Sequence, residues 1–148
     1  VDRVRELVTS GFFDGVHFHR VLRGFIAQFG ISGDPAVQHN WTNRTIKDDP
    51  VVESNRRGMV TFAMAGKHSR TTQLFINYAN NLFLDKQGFS PVGKVVAGMD
   101  VVDGIYAGHK EKPNQGLIQA KGNKYLEAEF PELSYIISAT LKPAPNRQ

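Results

Sequence analysis

Apolar and polar residues alternate over short stretches of this chain, and a period of two predicts strands rather than helices. In Val16–Leu22 the even-numbered and odd-numbered side chains would point to opposite faces of a half-buried strand. Arg23-Gly24 interrupts the pattern, and a second apolar stretch follows. Five or six strands are expected in all, the others being Phe25–Phe29, Gly58–Met64, Gln73–Tyr78, Pro91–Val96 and Ser134–Leu141.

Helical spacing occurs in fewer places. Val1–Ser10 carries apolar residues every three or four positions, which predicts a helix with one buried stripe that ends at Gly11. Shorter helices are predicted at Met99–Tyr106 and at Asn123–Glu129, the latter with Asn123 as its cap. Polar residues predict loops at Ile31–Asn55, Lys67–Thr72 and Asn80–Ser90. Many short strands with few short helices favour a mainly β fold, either a barrel or a sandwich.

Length and composition add few constraints. The 148 residues predict one domain at 1–141 and a tail at 142–148. Cysteine is absent, which excludes disulfides and thiolate metal sites and leaves the compartment open, either cytoplasmic or secreted/periplasmic. No apolar run approaches the roughly 18 residues of a membrane span, so no membrane partner is expected. The net charge of +4 comes from scattered residues, so nucleic acid is not expected as a partner.

The stretch Phe18–Gly30 contains the most informative polar residues. It places Arg20 and Gln28 among aromatic and aliphatic side chains, with Gly24 between them. A fixed cation and an amide beside an apolar surface suit a neutral ligand that has an apolar ring and a carbonyl, such as a proline residue in a peptide. His17 and His19 share a strand face, but without a defined third ligand they do not predict a metal site.

Phe18-His19-Arg20 followed by Gly24-Phe25-Ile26-Ala27-Gln28 resembles the signature of the cyclophilin-type peptidyl-prolyl cis–trans isomerases. Matches in the family's order continue at Met59–Gly66, Thr72–Ile76, Leu84-Asp85, Val92–Val95 and Gly98–Val102, so the resemblance covers about Val1 to Leu141. It implies a closed antiparallel β-barrel with short helices at its ends. It also implies an enzyme without a cofactor, acting as a monomer, that rotates X–Pro bonds in peptides and unfolded proteins and assists folding.

The resemblance also implies roles for individual residues. Arg20 would donate to the substrate and weaken amide resonance, and Gln28 would hold the substrate backbone. Taken singly, these residues have ordinary interpretations as a surface charge, structural amides and core aromatics. The catalytic set implied is Arg20, Gln28 and Phe25, and the substrate-binding set is Ile26, Ala63, Met64, Gln73, Phe75, Phe83, Leu84 and Phe89.

Three pocket positions depart from the common family pattern. Met64 replaces an asparagine that contributes mainly backbone bonds, so activity should survive. Phe83 replaces a tryptophan that hydrogen-bonds cyclosporin, so this drug should bind more weakly. Phe89 lies near the place of a pocket histidine, after a one-residue insertion.

The loop before Gln73 carries Lys67, His68 and Arg70, which predicts a preference for acidic side chains two residues before the proline. Two strands that usually precede the first helix of the family have no counterpart. The sequence is therefore expected to lack roughly 25–30 N-terminal residues of the functional polypeptide, by comparison with the family.

The main alternative to an enzyme is a non-catalytic proline-peptide binding module on the same fold. A basic RNA-associated protein is a third interpretation.

Overall fold

A computed structural model describes residues 1–142, and the remainder of the expected tail, 143–148, lies outside the described residues. Within residues 1–142 the chain forms six helices and five strands. The helices are α1 Asp2–Thr9, α2 Pro35–Trp41, α3 Phe83–Lys86, α4 Met99–Asp103, α5 Gln115–Lys121 and α6 Asn123–Glu129. The strands are β1 Arg20–Leu22, β2 Ile26–Phe29, β3 Met59–Phe62, β4 Leu74–Asn77 and β5 Pro91–Lys94.

All five strands belong to one antiparallel sheet with the order β1-β2-β4-β3-β5. The register pairs Arg20 with Gln28 across β1 and β2, and pairs Gln28 with Phe75 across β2 and β4. Paired residues lie on the same face of a sheet, so this register brings the cation, the amide and the aromatic ring together. Strands β1 and β5 form the two edges of the sheet within residues 1–142, and the closed barrel remains a prediction.

The largest core cluster packs the sheet against α1 and the residues that follow it. Leu7 and Val16 are fully buried there, and the indole of Trp41 meets the ring of Phe12 edge-on, 6.0 Å between centroids. A second cluster, Ile31, Ile118, Leu126 and Leu133, holds α5 and α6 to the rest of the molecule. Within residues 1–142 no helix is long and apolar enough to cross a membrane.

The predicted strands at Phe25–Phe29, Gly58–Met64, Gln73–Tyr78 and Pro91–Val96 are confirmed as β2, β3, β4 and β5, each with shorter bounds. The first prediction, Val16–Leu22, is confirmed only for Arg20–Leu22. The strand predicted at Ser134–Leu141 is wrong, because only Tyr135 forms a bridge, with His17. Ile136 instead exchanges backbone hydrogen bonds with Gly15 and Val16 in the loop before β1, and Ile137 and Leu141 are exposed.

Two predicted loops contain helices. Asp34 caps α2, because its carboxylate accepts from the Ala36 amide at 2.9 Å and Pro35 occupies the first turn. The loop at Asn80–Ser90 contains α3, a single turn. Helix α5 was not predicted, whereas α1, α4 and α6 were. Asn123, however, does not cap α6: it is the first helical residue, and its Nδ2 donates to the Gly15 carbonyl at 3.0 Å.

Candidate active site

The sheet, the loop between β3 and β4 and the loop after β4 line a cavity of about 320 Å³, at the lower end of the range for small-ligand pockets. Ten of the eleven residues that the sequence implicates line it. The lining residues are Arg20, Phe25, Ile26, Gln28, Ala63, Met64, Ala65, Ser69, Thr71, Gln73, Phe75, Leu84, Phe89 and Gln115. The eleventh, Phe83, lies outside this lining.

The floor of the cavity is apolar. Ile26, Phe75 and Leu84 are buried and form a small cluster of their own, separate from the main core. The ring of Phe89 meets that of Phe75 edge-on at 5.7 Å, and Phe25 packs beside them. Such a surface can take an apolar ring out of water, with a gain of about 25 cal/mol for each Å² that is buried.

Arg20 is the cation at the edge of this floor. Its Nε donates to the Glu111 carboxylate at 3.1 Å, and its Nη1 donates to Gln28 Oε1 at 3.1 Å. The guanidinium carbon lies 6.0 Å from the ring centroid of Phe25. Within residues 1–142 no acceptor is found for Nη2, so that amino group can donate to a ligand.

One side of the cavity, its polar wall, is formed by Arg20 and by the side-chain amides of Gln28, Gln73 and Gln115. Gln28 Nε2 donates to Gln73 Oε1 at 2.8 Å, and Gln73 Nε2 donates to Gln115 Oε1 at 3.2 Å. Since guanidinium only donates, this order assigns the orientation of all three amides. Among residues 1–142 the side-chain amides of Gln28 and Gln73 each donate one such hydrogen bond, so each has a second N–H that can donate to a ligand.

The opposite wall is held by Asn55, which is fully buried. Its Nδ2 donates to Asp85 Oδ1 at 2.7 Å and to the Phe89 carbonyl at 2.9 Å, and its Oδ1 accepts from Thr61 Oγ1 at 2.7 Å. Desolvation pushes the pKa of Asp85 upward, but hydrogen bonds from the backbone and side chain of Asn55 act against it. Together with smaller effects of Ser54 and Arg56 they leave that pKa below its ordinary value. Asn55 therefore ties α3 and Phe89 to the sheet.

The family model described as cyclophilin type peptidyl-prolyl cis-trans isomerase/CLD matches residues 1–122. The chain belongs to the cyclophilin family. Among curated relatives, peptidyl-prolyl cis-trans isomerase A of Dickeya dadantii is 41% identical over 107 residues, which is 68% of this chain and 55% of that protein. Peptidyl-prolyl cis-trans isomerase B of Escherichia coli is 36% identical over 125 residues, 74% of this chain and 76% of that protein. The chain thus spans about half the length of the first and three quarters of the second.

Solved cyclophilin structures share the fold. A cyclophilin of Cryptosporidium parvum superposes with a TM-score of 0.59 at 25% identity, covering 70% of this chain and 67% of that one. The same Cryptosporidium protein was also solved in the presence of the dipeptide Ala-Pro, with a TM-score of 0.57 at 25% identity and coverage of 73% of each chain.

Phe83 of this cyclophilin lies at the rim of the cavity rather than in its lining. Its ring stacks on that of Phe25, with centroids 6.0 Å apart and an interplanar angle of 20°. The residue is 53% exposed, so a large ligand that extends beyond the cavity would contact it.

Sequence reasoning missed five residues of the site. Ala65 belongs to the segment Met59–Gly66 that resembles the family, and Ser69 and Thr71 belong to the polar loop that follows it, so the sequence could have placed them near the cavity. Gln115 and Glu111 carried no such signal, because they meet the strands only through tertiary contacts 42 and 91 residues apart in sequence.

The basic loop at the cavity differs from its sequence-based interpretation. Arg70 is buried, and its guanidinium bonds the Asp49 carboxylate and the Lys47 carbonyl, so it does not face the cavity. His68 and Asp48 exchange bonds through their backbone amides. Lys67 alone of the three predicted cations lines the groove that adjoins the cavity, where it is joined by Lys86.

His17 and His19 do not converge on a common ligand. His17 bonds the Gly15 carbonyl and packs on Tyr135, with ring centroids 5.2 Å apart. Among residues 1–142 no group of three or more histidine, aspartate or glutamate side chains is placed to hold a metal ion.

His19 predicts a pH dependence of stability. Burial of its ring lowers the pKa of His19 to about 4, and the Arg20 cation acts in the same direction. In the unfolded chain the imidazole gains a proton near pH 6.5, whereas in the folded chain it stays neutral down to about pH 4. The contribution of His19 to the free energy of unfolding is therefore complete above pH 6.5 and is lost as pH falls toward 4. The loss is about 3 kcal/mol at 1.36 kcal/mol per pH unit.

Urea unfolding between pH 7 and pH 4.5 measures this effect. His19→Gln should flatten the slope of unfolding free energy against pH. Equal slopes for the wild type and His19→Gln would show that His19 does not control it.

Proposed function

We propose that this cyclophilin catalyses cis–trans isomerisation of X–Pro peptide bonds and thereby assists protein folding. One observation carries the proposal. In a single cavity the Arg20 guanidinium is held at two of its nitrogens, has one amino group without an acceptor among residues 1–142, and borders an apolar floor. The curated relatives named above are peptidyl-prolyl cis-trans isomerases, which supports the same activity.

The reaction needs little covalent chemistry. Amide resonance raises a barrier of about 18–20 kcal/mol to rotation, and uncatalysed X–Pro exchange takes about 10–100 s. No bond is broken, so no nucleophile, metal or cofactor is required. A catalyst must hold the prolyl ring, leave the preceding carbonyl free to swing, and stabilise a pyramidal prolyl nitrogen.

The residues at the cavity suit these tasks. Phe25, Phe75 and Leu84 would hold the prolyl ring, with Ile26 and Phe89 at its sides. The Nη2 group of Arg20 would donate to the prolyl nitrogen or carbonyl side. As resonance is lost, the nitrogen lone pair becomes a better acceptor, so this bond strengthens in the transition state and lowers the barrier.

The polar wall would hold the rest of the peptide. The free N–H groups of Gln28 and Gln73 would donate to substrate carbonyls, and the backbone of Ala63 and Met64 would bind the residues before proline. A methionine in place of asparagine leaves those backbone groups available, so substitution at this position is compatible with turnover.

A protease-coupled assay on a proline-containing tetrapeptide tests the proposal. Turnover above the uncatalysed exchange rate is expected. Peptide binding without acceleration would favour the alternative, a proline-peptide binding module, and absence of both would refute the two functions together. The presence of Arg20 beside an unobstructed floor favours the enzyme over the module.

Cyclosporin is expected to bind more weakly than it does to a tryptophan-bearing relative, because the ring of Phe83 has no N–H to donate. Phe83→Trp should strengthen binding by about 1 kcal/mol, the value of one hydrogen bond. Calorimetry on both proteins measures the difference. Equal affinities would show that position 83 does not contact the drug through a hydrogen bond.

Lys67 and Lys86 predict a preference for acidic side chains two residues before the proline, because both line the groove next to the cavity. Exposed charge pairs are worth about 0–1 kcal/mol, so the effect should be a few-fold and should fade with salt. Peptides with Glu, Ala or Lys at that position would rank in this order. Equal rates for the three would contradict the expectation.

We propose further that residues 1–141 act as one domain and as a monomer on proline-containing peptides and unfolded proteins. In the functional protein the sheet would be closed into an antiparallel barrel. The family resemblance supports closure, and so does the cost of leaving strand edges such as β1 and β5 unpaired.

A further inference from the structure

The segment from Glu111 to Gln115 contacts the polar wall of the cavity at both of its ends. Glu111 accepts from Arg20 Nε at 3.1 Å, and Gln115 accepts from Gln73 at 3.2 Å. Between these two contacts run the bonds from Arg20 to Gln28 and from Gln28 to Gln73. The side chains and the segment therefore form a closed ring.

The segment is itself fixed at several points. The Lys110 carbonyl accepts from the Val21 amide of β1 at 3.1 Å, and Pro113 is buried. The Oδ1 atom of Asn114 accepts from the Leu117 backbone amide at 3.0 Å and so caps α5. The backbone amide of Asn114 donates to the Tyr125 hydroxyl at 3.1 Å. The oxygens of Glu111 and Gln115 are thus presented from a rigid support.

We propose that Glu111–Gln115 is a positioning element for Arg20, an inference that rests on the proposed isomerase function. An arginine side chain has several rotatable bonds, and its fork must point at the substrate to donate. The bond from Nε to Glu111 fixes the plane of the guanidinium on the side away from Gln28. With Nε and Nη1 engaged, Nη2 is the group left for the substrate.

Stabilisation of the fold does not explain this ion pair. The side chain of Glu111 is 62% exposed and that of Arg20 is 29% exposed, and pairs of this kind contribute little to folding. The effect of losing Glu111 should therefore fall on the orientation of Arg20, and so on kcat, rather than on Tm.

The test compares Glu111→Ala with Glu111→Gln, which keeps an acceptor oxygen but removes the charge. Glu129→Ala is the control, since it removes a charge from an exposed residue on α6. For each variant kcat and KM are measured separately on a proline tetrapeptide, and the Nε–H resonance of Arg20 is recorded by NMR.

For Glu111→Ala we expect kcat to fall about three- to fivefold with KM changed less than about twofold, and the Arg20 Nε–H resonance to shift. Glu111→Gln and Glu129→Ala should stay within about twofold of the wild type, because the first retains the acceptor and the second never touches Arg20. Unchanged kcat in Glu111→Ala would overturn the proposal, and so would an equal loss in Glu111→Gln. An inactive wild type would instead refute the isomerase function, while the resonance would still report whether Glu111 holds the guanidinium.

Discussion

Arg20→Ala is expected to lower kcat/KM for a proline tetrapeptide by about two to three powers of ten, roughly 3–4 kcal/mol of transition-state stabilisation. Arg20 is the only charged residue that lines the cavity within residues 1–142, so no neighbour can replace it. The loss should appear mainly in kcat, because the apolar floor that holds the prolyl ring stays intact.

Two controls separate chemistry from charge and folding. Arg20→Lys keeps the charge but loses the fork and the bond from Nε, so it should also lose most of the activity. Arg23→Ala removes an exposed cation three residues away and should be active. Near-normal turnover of Arg20→Ala, measured on protein with an unchanged Tm, would remove Arg20 from the mechanism.

Asn55→Ala should lower the free energy of unfolding by roughly 3–5 kcal/mol, because it leaves several polar groups without partners. The Thr61 hydroxyl would lose its acceptor, and the Phe89 carbonyl would lose its donor. Activity should fall as well, since α3 and Phe89 would no longer be tied to the sheet. Urea unfolding and the peptide assay measure the two effects.

Asn43→Ala is the matched control for Asn55→Ala, because Asn43 is exposed and its loss strands no buried group. Its unfolding free energy should lie within about 0.5 kcal/mol of the wild type. An Asn55→Ala protein as stable as this control would show that the buried network contributes nothing net to folding.

The sequence predicted which residues line the cavity better than it predicted the fold around them. Arg20 and Gln28 lie on adjacent strands joined by a tight turn, so their pairing follows from local sequence. The strands themselves were predicted from the alternation of apolar and polar residues, which can be recognised even in short segments. The floor residues were reached through the motifs that resemble the cyclophilins.

Features set by tertiary contacts were the ones missed. The strand predicted at Ser134–Leu141 has the right apolar residues, but only Tyr135 finds a bridging partner. Arg70 looked like a free cation in a polar loop, yet Asp49 and the Lys47 carbonyl hold it in a buried position. Helix α2 is different, because its signal, Asp34-Pro35, was present and was outweighed by the polar composition around it.

The isomerase function itself is tested most directly by NMR exchange on a short X–Pro peptide with a catalytic amount of the protein. Free cis and trans forms exchange over about 10–100 s, too slowly to give exchange peaks. With the wild type, cross-peaks between the two forms should appear, and with Arg20→Ala at the same concentration they should be absent. Exchange that stays at the uncatalysed rate with folded wild type would contradict the function proposed for this cyclophilin.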